Sequence, residues 1–449
     1  MKTFIKYLLL SIIVLGGVFA SIYFLLLPSQ LNSYTYTTEQ IALIRENDLV
    51  YDFVRAGKST LMSTALNNDA KNIERTDLYL VKDTDLPENV DYEHLYTVMS
   101  TLSEKGYDNE QVMKLIKSAT LDELHILMDS PLPVNMDVLY SALDKKFPVV
   151  QAYQLSNMDR DLSSLIMNDG TDYSTTVKLN NMGYSVEDIK ALNKLGNTEL
   201  NMVTVMKYLA DLPTLVSNES FDMKLLPRYI MAIENEGYEA EDAIVYVNDN
   251  EDYVDVEDID MYGLYSDDFR TENPGSYTAL VNKNHYLNAD YAPTDITEFS
   301  HEEMRTDVAT ALGSLFTALN EQKFETIIVD VGYVSYSEQE ELFNRYLEMF
   351  EDDEEKALER TPYAGYSEHQ TGLAVDFYIR GSNFEDYEGY QWMLDNIHNY
   401  GFILRYPAGK EFLTGFPSEP KHFRFVGVEA AKIMHDYEWT LEEYKTIFE

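Results

Sequence analysis

Along residues 34–248 apolar positions recur at three- and four-residue intervals, as in Val112, Leu115 and Ile116 and then Leu124, Leu127 and Met128. That spacing lines one face of an α-helix. The stretch Gly106-Tyr107-Asp108-Asn109-Glu110 returns as Gly183-Tyr184-Ser185-Val186-Glu187 and as Gly237-Tyr238-Glu239-Ala240-Glu241. Each copy follows one apolar helical stretch and opens another. Gly suits the left-handed residue that ends a helix, and Asp108 and Ser185 suit the N-cap of the next. The copies are unequally spaced, so a helical-hairpin array is expected rather than a solenoid. Such an array is either a spacer packed on itself or a surface for a protein partner.

The pattern then changes. Residues 249–273 are strongly acidic and read as a solvated linker, and Asn273-Pro274-Gly275 is turn punctuation. Residues 274–449 mix short strands with helices. Helices are expected over Phe299–Gln322, Ser337–Phe350 with Ser337 as N-cap, Gln391–Tyr400, Val428–His435 and Leu441–Phe448. Strands are expected over Glu325–Val331, Phe402–Tyr406 and His422–Val426. The fold class that follows is an all-α region and then a compact α+β domain with a small antiparallel sheet.

Ahead of both lies the apolar run 7–27, which as a helix would span roughly 30 Å, the thickness of a bilayer's hydrocarbon core. Lys2 and Lys6 precede it and no basic residue follows until Arg45. The expectation is a single-pass anchor in the cell membrane, with residues 1–6 cytoplasmic and everything after Pro28 extracellular. Val18-Phe19-Ala20 would permit signal cleavage, but the apolar run continues through Leu27 and favours an uncleaved anchor.

Composition narrows the chemistry. The 449 residues carry a formal charge of −44, which argues against nucleic acid, since its phosphates are bound through Lys and Arg. Contact with the lipid bilayer therefore rests on the apolar helix and not on charge. There is no cysteine, so any metal must sit on His, Asp or Glu.

Of eight histidines, two keep unusual company. His369 lies in Ser367-Glu368-His369-Gln370-Thr371-Gly372-Leu373-Ala374-Val375-Asp376, and His422 in Glu419-Pro420-Lys421-His422-Phe423-Arg424-Phe425. Two imidazoles and a carboxylate are the set a catalytic zinc site uses, with a fourth position left for water. His369 and Asp376 are an odd number of positions apart, so a turn at Gly372 must bring them to one side. On a strand His422 and Arg424 share one face, and Phe423 and Phe425 the core face. Glu419 stands near His422, where a general base belongs. His94, His125, His285, His301, His398 and His435 show no comparable spacing and read as surface or helix-face residues.

From Thr278 onward the chain resembles the VanY-type zinc D-alanyl-D-alanine carboxypeptidases, which are related to the VanX-type dipeptidases. The resemblance rests on Leu280-Val281-Asn282-Lys283, Asp290-Tyr291-Ala292-Pro293, Ser367 to Asp376, Tyr400 to Pro407, Thr414-Gly415 and Glu419 to Gly427. It implies Zn²⁺ held by His369, Asp376 and His422, with Glu419 as catalytic base and Ser367 at the substrate end of the pocket. The implied activity is removal of the terminal D-alanine from peptidoglycan stem peptides. Two positions depart from the family pattern. Val334 stands in Gly332-Tyr333-Val334-Ser335-Tyr336 where the family has an arginine that polarises the scissile carbonyl, and Lys421 stands where it commonly has Trp. Arg345, Arg380, Arg405 and Arg424 are the candidates for a replacement cation. The alternative reading is a zinc-binding but catalytically weak or inactive chain that binds wall peptides or partner proteins.

Overall fold

The computed structural model describes residues 27–34, 36–86, 89–168, 172–250, 265 and 269–449. No helix among them is long and apolar enough to cross a membrane. The anchor expected over 7–27 lies outside the described residues except for Leu27, and most of the acidic linker does too. The chain divides into two compact units, residues 1–173 and 174–449.

Among its described residues the first unit is built of helices and helical turns. In it, α1 (Tyr92–Lys105) is capped by Asp91, whose side chain accepts from Glu93 N and His94 N. It stops at Gly106, whose φ of +114 is a left-handed conformation that costs glycine little. Asp108 then opens α2 (Asn109–Ser118) through a reciprocal capping box with Gln111. Leu95, Val98, Leu102, Val112 and Leu115 from this pair are fully buried, which is the amphipathic face read from the spacing. A further short helix, α3 (His125–Asp129), follows one turn after Asp122.

The second unit starts helically and repeats the same device. Ser185 caps α4 (Val186–Leu192) with a capping box to Asp188, and α5 (Leu226–Glu236) ends at left-handed Gly237 before α6 (Ala240–Asp249). The turn punctuation at Asn273-Pro274-Gly275 puts the expected domain boundary there, after the acidic linker. In the structure this helical segment shares a compact unit with the α+β part, and specific bonds tie it to the C-terminal helices. Trp439 Nε1 donates to Lys224 O at 2.7 Å, Lys207 N donates to Ile447 O at 3.1 Å, and Lys224 pairs with Glu438 at 2.5 Å.

In the α+β part, the short pair β1 (Phe269–Arg270) and β2 (His285–Tyr286) precedes a hairpin of β3 (Ile296–Phe299) and β4 (Glu302–Arg305). The helix expected from Phe299 begins only at Thr306, because the preceding residues form this hairpin. It runs to Gln322 as α7. An antiparallel sheet follows in the order β5 (Ile328–Val331), β6 (Ala374–Tyr378), β8 (Glu419–Phe425), β7 (Phe402–Tyr406). Ser335, not Ser337, caps α8 (Tyr336–Met349), since its hydroxyl accepts from Glu338 N while the Glu338 side chain returns to Ser335 N. The chain closes with α9 (Val428–Tyr437) and α10 (Leu441–Phe448).

One face of the sheet packs on α7. Val308, Leu312 and Leu315 meet Val375, Phe377 and Phe423, all fully buried. Burying each large side chain contributes about 1.5–3 kcal/mol. Strand alternation then dictates that Asp376, His422 and Arg424 project from the opposite face.

Candidate active site

The register of β6 against β8 sets Asp376 directly opposite His422. His369 arrives from the helical turn Glu368–Thr371, which ends at Gly372 with a φ of +66 and leads straight into β6. This is the reversal that the odd spacing required. The His369 ring is held from behind by the loop after β5. Its Nδ1 lies 2.8 Å from Gly332 O, and Val334 N donates to His369 O at 3.2 Å. A Cβ at Gly332 would sit 2.2 Å from Glu303 O, so only glycine lets this backbone pass. With an Nδ1 proton given to Gly332, Nε2 keeps its lone pair and faces Asp376 Oδ1 at 3.4 Å.

Each of His369, Asp376 and His422 offers a ligand atom within 4.8 Å of the others. The two imidazole rings stand edge to face with centroids 5.0 Å apart. His422 Nδ1 lies 2.9 Å from Asp376 Oδ1. Its Nε2 points the other way, 3.6 Å from Glu368 Oε2, and neither of these two buried atoms has a hydrogen-bond partner among the described residues. An Nε2 proton directed at Glu368 leaves Nδ1 as the donor atom for a metal, the usual arrangement in which an outer carboxylate fixes the tautomer of a ligating histidine. Two nitrogen donors and one carboxylate, converging and nearly buried, fit a zinc-type ion with one position left open.

A proton on His422 competes with an ion for this place. Burial opposes charge on Asp376, yet hydrogen bonds from both histidines hold its carboxyl well below the ordinary range. Burial also opposes charge on His422, but its bonds to Asp376 and Glu368 outweigh that and push it up to about 10. Glu368 is fully buried and kept ionised by Arg405 and Arg424. Arg405 Nε reaches Glu368 Oε1 at 2.8 Å and its other nitrogens grip Glu442 at 3.0 and 2.6 Å. Arg424 lies 2.8 Å from Glu368 Oε1 and donates to the carbonyls of Tyr277 and Ala279. Neither arginine is therefore free to serve as the replacement cation considered from the sequence. Both are completely buried, Arg405 between Glu368 and Glu442 and Arg424 against Glu368. Arg345 and Arg380 are exposed.

Lys421 has a role the sequence did not indicate. Its Nζ lies 2.8 Å from Asp376 Oδ2, the oxygen turned away from His422. Lys421 thus neutralises the ligand carboxylate and orients it. Replacing it by Met should weaken zinc binding about tenfold, because Asp376 loses the partner of its second oxygen. A zinc titration of the two proteins at equal ionic strength checks this, and unchanged affinity would refute it.

Glu419 begins β8. A register irregularity between Leu404 and Tyr406 turns Tyr406 against His422, with ring centroids 5.1 Å apart, and Glu419 is the cross-strand partner of Tyr406. Its charge acts on His422, while its carboxylate has no ion-pair or hydrogen-bond partner among the described residues. Ser367 is buried at the start of the turn that carries His369. The structure thus gathers His369, Asp376 and His422 with Glu419 on the adjoining strand end. Sequence reasoning passed over Glu368, Tyr406 and the part played by Gly332. A signal for Glu368 existed, since an arginine sharing the His422 face of a buried strand requires a carboxylate.

Together these features define a candidate His-Asp-His metal centre on the face of the small antiparallel sheet turned away from α7. A family model described as VanY, D-alanyl-D-alanine carboxypeptidase, matches residues 301–428. The YodJ protein of Bacillus subtilis (strain 168) is 41% identical over 189 residues, which are 38% of this chain and 68% of that protein. The bifunctional D-Ala-D-Ala dipeptidase and D-Ala-D-Ala carboxypeptidase VanXYC of Enterococcus gallinarum is 33% identical over 177 residues, 37% of this chain and 91% of that protein. A crystal structure of a vancomycin resistance D,D-pentapeptidase VanY in complex with Zn(II) aligns at 31% identity with a TM-score of 0.34, covering 38% of this chain and 98% of that one. Through its C-terminal part, the chain belongs to the VanY D-alanyl-D-alanine carboxypeptidase family.

Proposed function

We propose that this chain is a zinc-dependent D,D-carboxypeptidase that removes the terminal D-alanine from peptidoglycan stem peptides outside the cell, held at the membrane by its apolar N-terminal segment. The observation that carries the reading is the convergence of His369, Asp376 and His422 beside the end of the strand that bears Glu419. A zinc ion on these three ligands would supply Lewis-acid polarisation of the peptide carbonyl and of water. The protein's own part is positioning and proton transfer. Gly332 O and Glu368 fix the two imidazoles, and Lys421 fixes the carboxylate. Glu419 takes the proton of the attacking water and returns it to the amine of the departing D-alanine. The topology read from Lys2, Lys6 and the 7–27 run supports an exterior site, where the stem peptides are.

The test is D-alanine release from a peptide ending in D-Ala-D-Ala, with a peptide ending in a single D-alanine after an L-centre run in parallel. Release should vanish on metal chelation and return with Zn²⁺. Zinc-loaded protein that releases D-alanine from neither peptide would overturn the reading in favour of an inactive wall-peptide binder. Release indifferent to chelation would overturn the zinc dependence.

A further inference from the structure

Outside the peptidase part, the fold assembles a second set of metal-ligating groups that the linear sequence keeps apart. His94 lies in the first turn of α1, His125 opens α3, and Asp122 precedes His125 by one turn. Their ligand atoms all fall within 4.8 Å of one another. The two imidazole rings are 5.6 Å apart at the centroids and tilted by 30°.

The backbones that carry them are pinned. Asp91 caps α1 through the amides of Glu93 and His94, and the next residue, Leu95, is completely buried. On the other side Thr120 N and Oγ1 both donate to Glu123 Oε2, at 2.8 and 2.7 Å, which closes the turn that holds Asp122. Leu124 and Leu127, on either side of His125, are completely buried. Neither imidazole nor the Asp122 carboxylate has a hydrogen-bond or ion-pair partner among the described residues. Three groups able to bind a cation are thus turned toward one another on rigid supports and left unpaired.

We propose that His94, Asp122 and His125 form a second metal site, which binds a divalent ion of the zinc type and clips the start of α1 to the turn before α3. Imidazole donors select zinc and its later first-row neighbours over calcium or magnesium, which take oxygen ligands. Three donors at about 2.0–2.2 Å from one tetrahedral ion stand roughly 3.3–3.5 Å apart, so side-chain rotation alone closes the observed separation. His94 is half-buried and the other two residues are exposed, so water completes the coordination. The site does not depend on the proposed peptidase activity.

The test counts zinc equivalents on the full-length chain in detergent and repeats the count with cobalt, whose visible bands report nitrogen ligation. The expected result is one equivalent that disappears in the His94→Gln, His125→Gln double variant yet persists in His422→Ala. D-alanine release and the far-ultraviolet circular dichroism of the double variant should match those of the parent, showing it folded. Zinc should also raise the melting temperature of His422→Ala, with no such rise once His94→Gln and His125→Gln are added. If His422→Ala binds no zinc, or if the double variant binds as many equivalents as the parent, the proposal is overturned.

Discussion

Substituting Ala for Glu419 is expected to lower kcat for D-alanine release by about 10²–10⁴-fold, while KM and zinc stoichiometry stay near the parent values. Glu419 is not one of the converging donors, so its loss leaves the metal ligands in place. It sits across β7–β8 from Tyr406, whose ring lies against His422, and among the described residues its carboxylate is tied to no cation or donor. A group that must accept a proton and give it back has to be uncommitted, and here Glu368 and Asp376 are both held in short ion pairs. Glu419 is also half-buried rather than sealed, so a substrate can reach it. Steady-state kinetics alongside a zinc titration separates the cases. A variant that keeps kcat would remove Glu419 from the proton-transfer role, and one that loses zinc would make it a structural support of the centre.

Glu368→Gln should cost about 3–5 kcal/mol of stability, a large part of the total for a domain, and lower zinc affinity by about 10–100-fold. Gln preserves the volume, so a cavity does not account for the loss. What changes is that Arg405 and Arg424, both completely buried, lose the carboxylate they share, and among the described residues Arg405 keeps Glu442 while Arg424 keeps no ion-pair partner. The second effect follows because His422 Nε2 then no longer faces a charged acceptor that fixes its orientation. Stability should carry a matching pH signature. Glu368 is ionised in the folded protein far below its usual value of 4.5, so its contribution is present above that value and is lost as pH falls below it, where the unfolded chain takes up a proton and the folded chain does not. The parent should therefore lose stability between about pH 5 and pH 3 more steeply than Glu368→Gln. Thermal melts across that range decide it, and parallel curves would show that Glu368 contributes nothing through its charge.

The helices were legible because their determinants are local. Apolar spacing, the glycine that ends α1 and the caps Asp108 and Ser185 act within a few residues, and the structure places each where those rules put it. Two boundaries slipped. The hairpin of β3 and β4 displaced the start of α7, and Ser335 prevailed over Ser337 because only it is spaced to exchange bonds with Glu338.

By itself the sequence determined the chemistry of the centre. With no cysteine, the donors had to be nitrogen and oxygen, and the turn at Gly372 acts over a short enough span to aim His369 and Asp376 together, whereas His422 joins them through the pairing of β6 with β8. Only the tertiary structure decided what surrounds it. Glu368 became the counter-charge of two arginines, Lys421 the partner of Asp376, and Tyr406 the neighbour of His422 through a register irregularity. It also drew His94 to Asp122 and His125. Each of these is a pairing across the fold, set by which surfaces pack and exclude water, and no short-range rule encodes such a pairing.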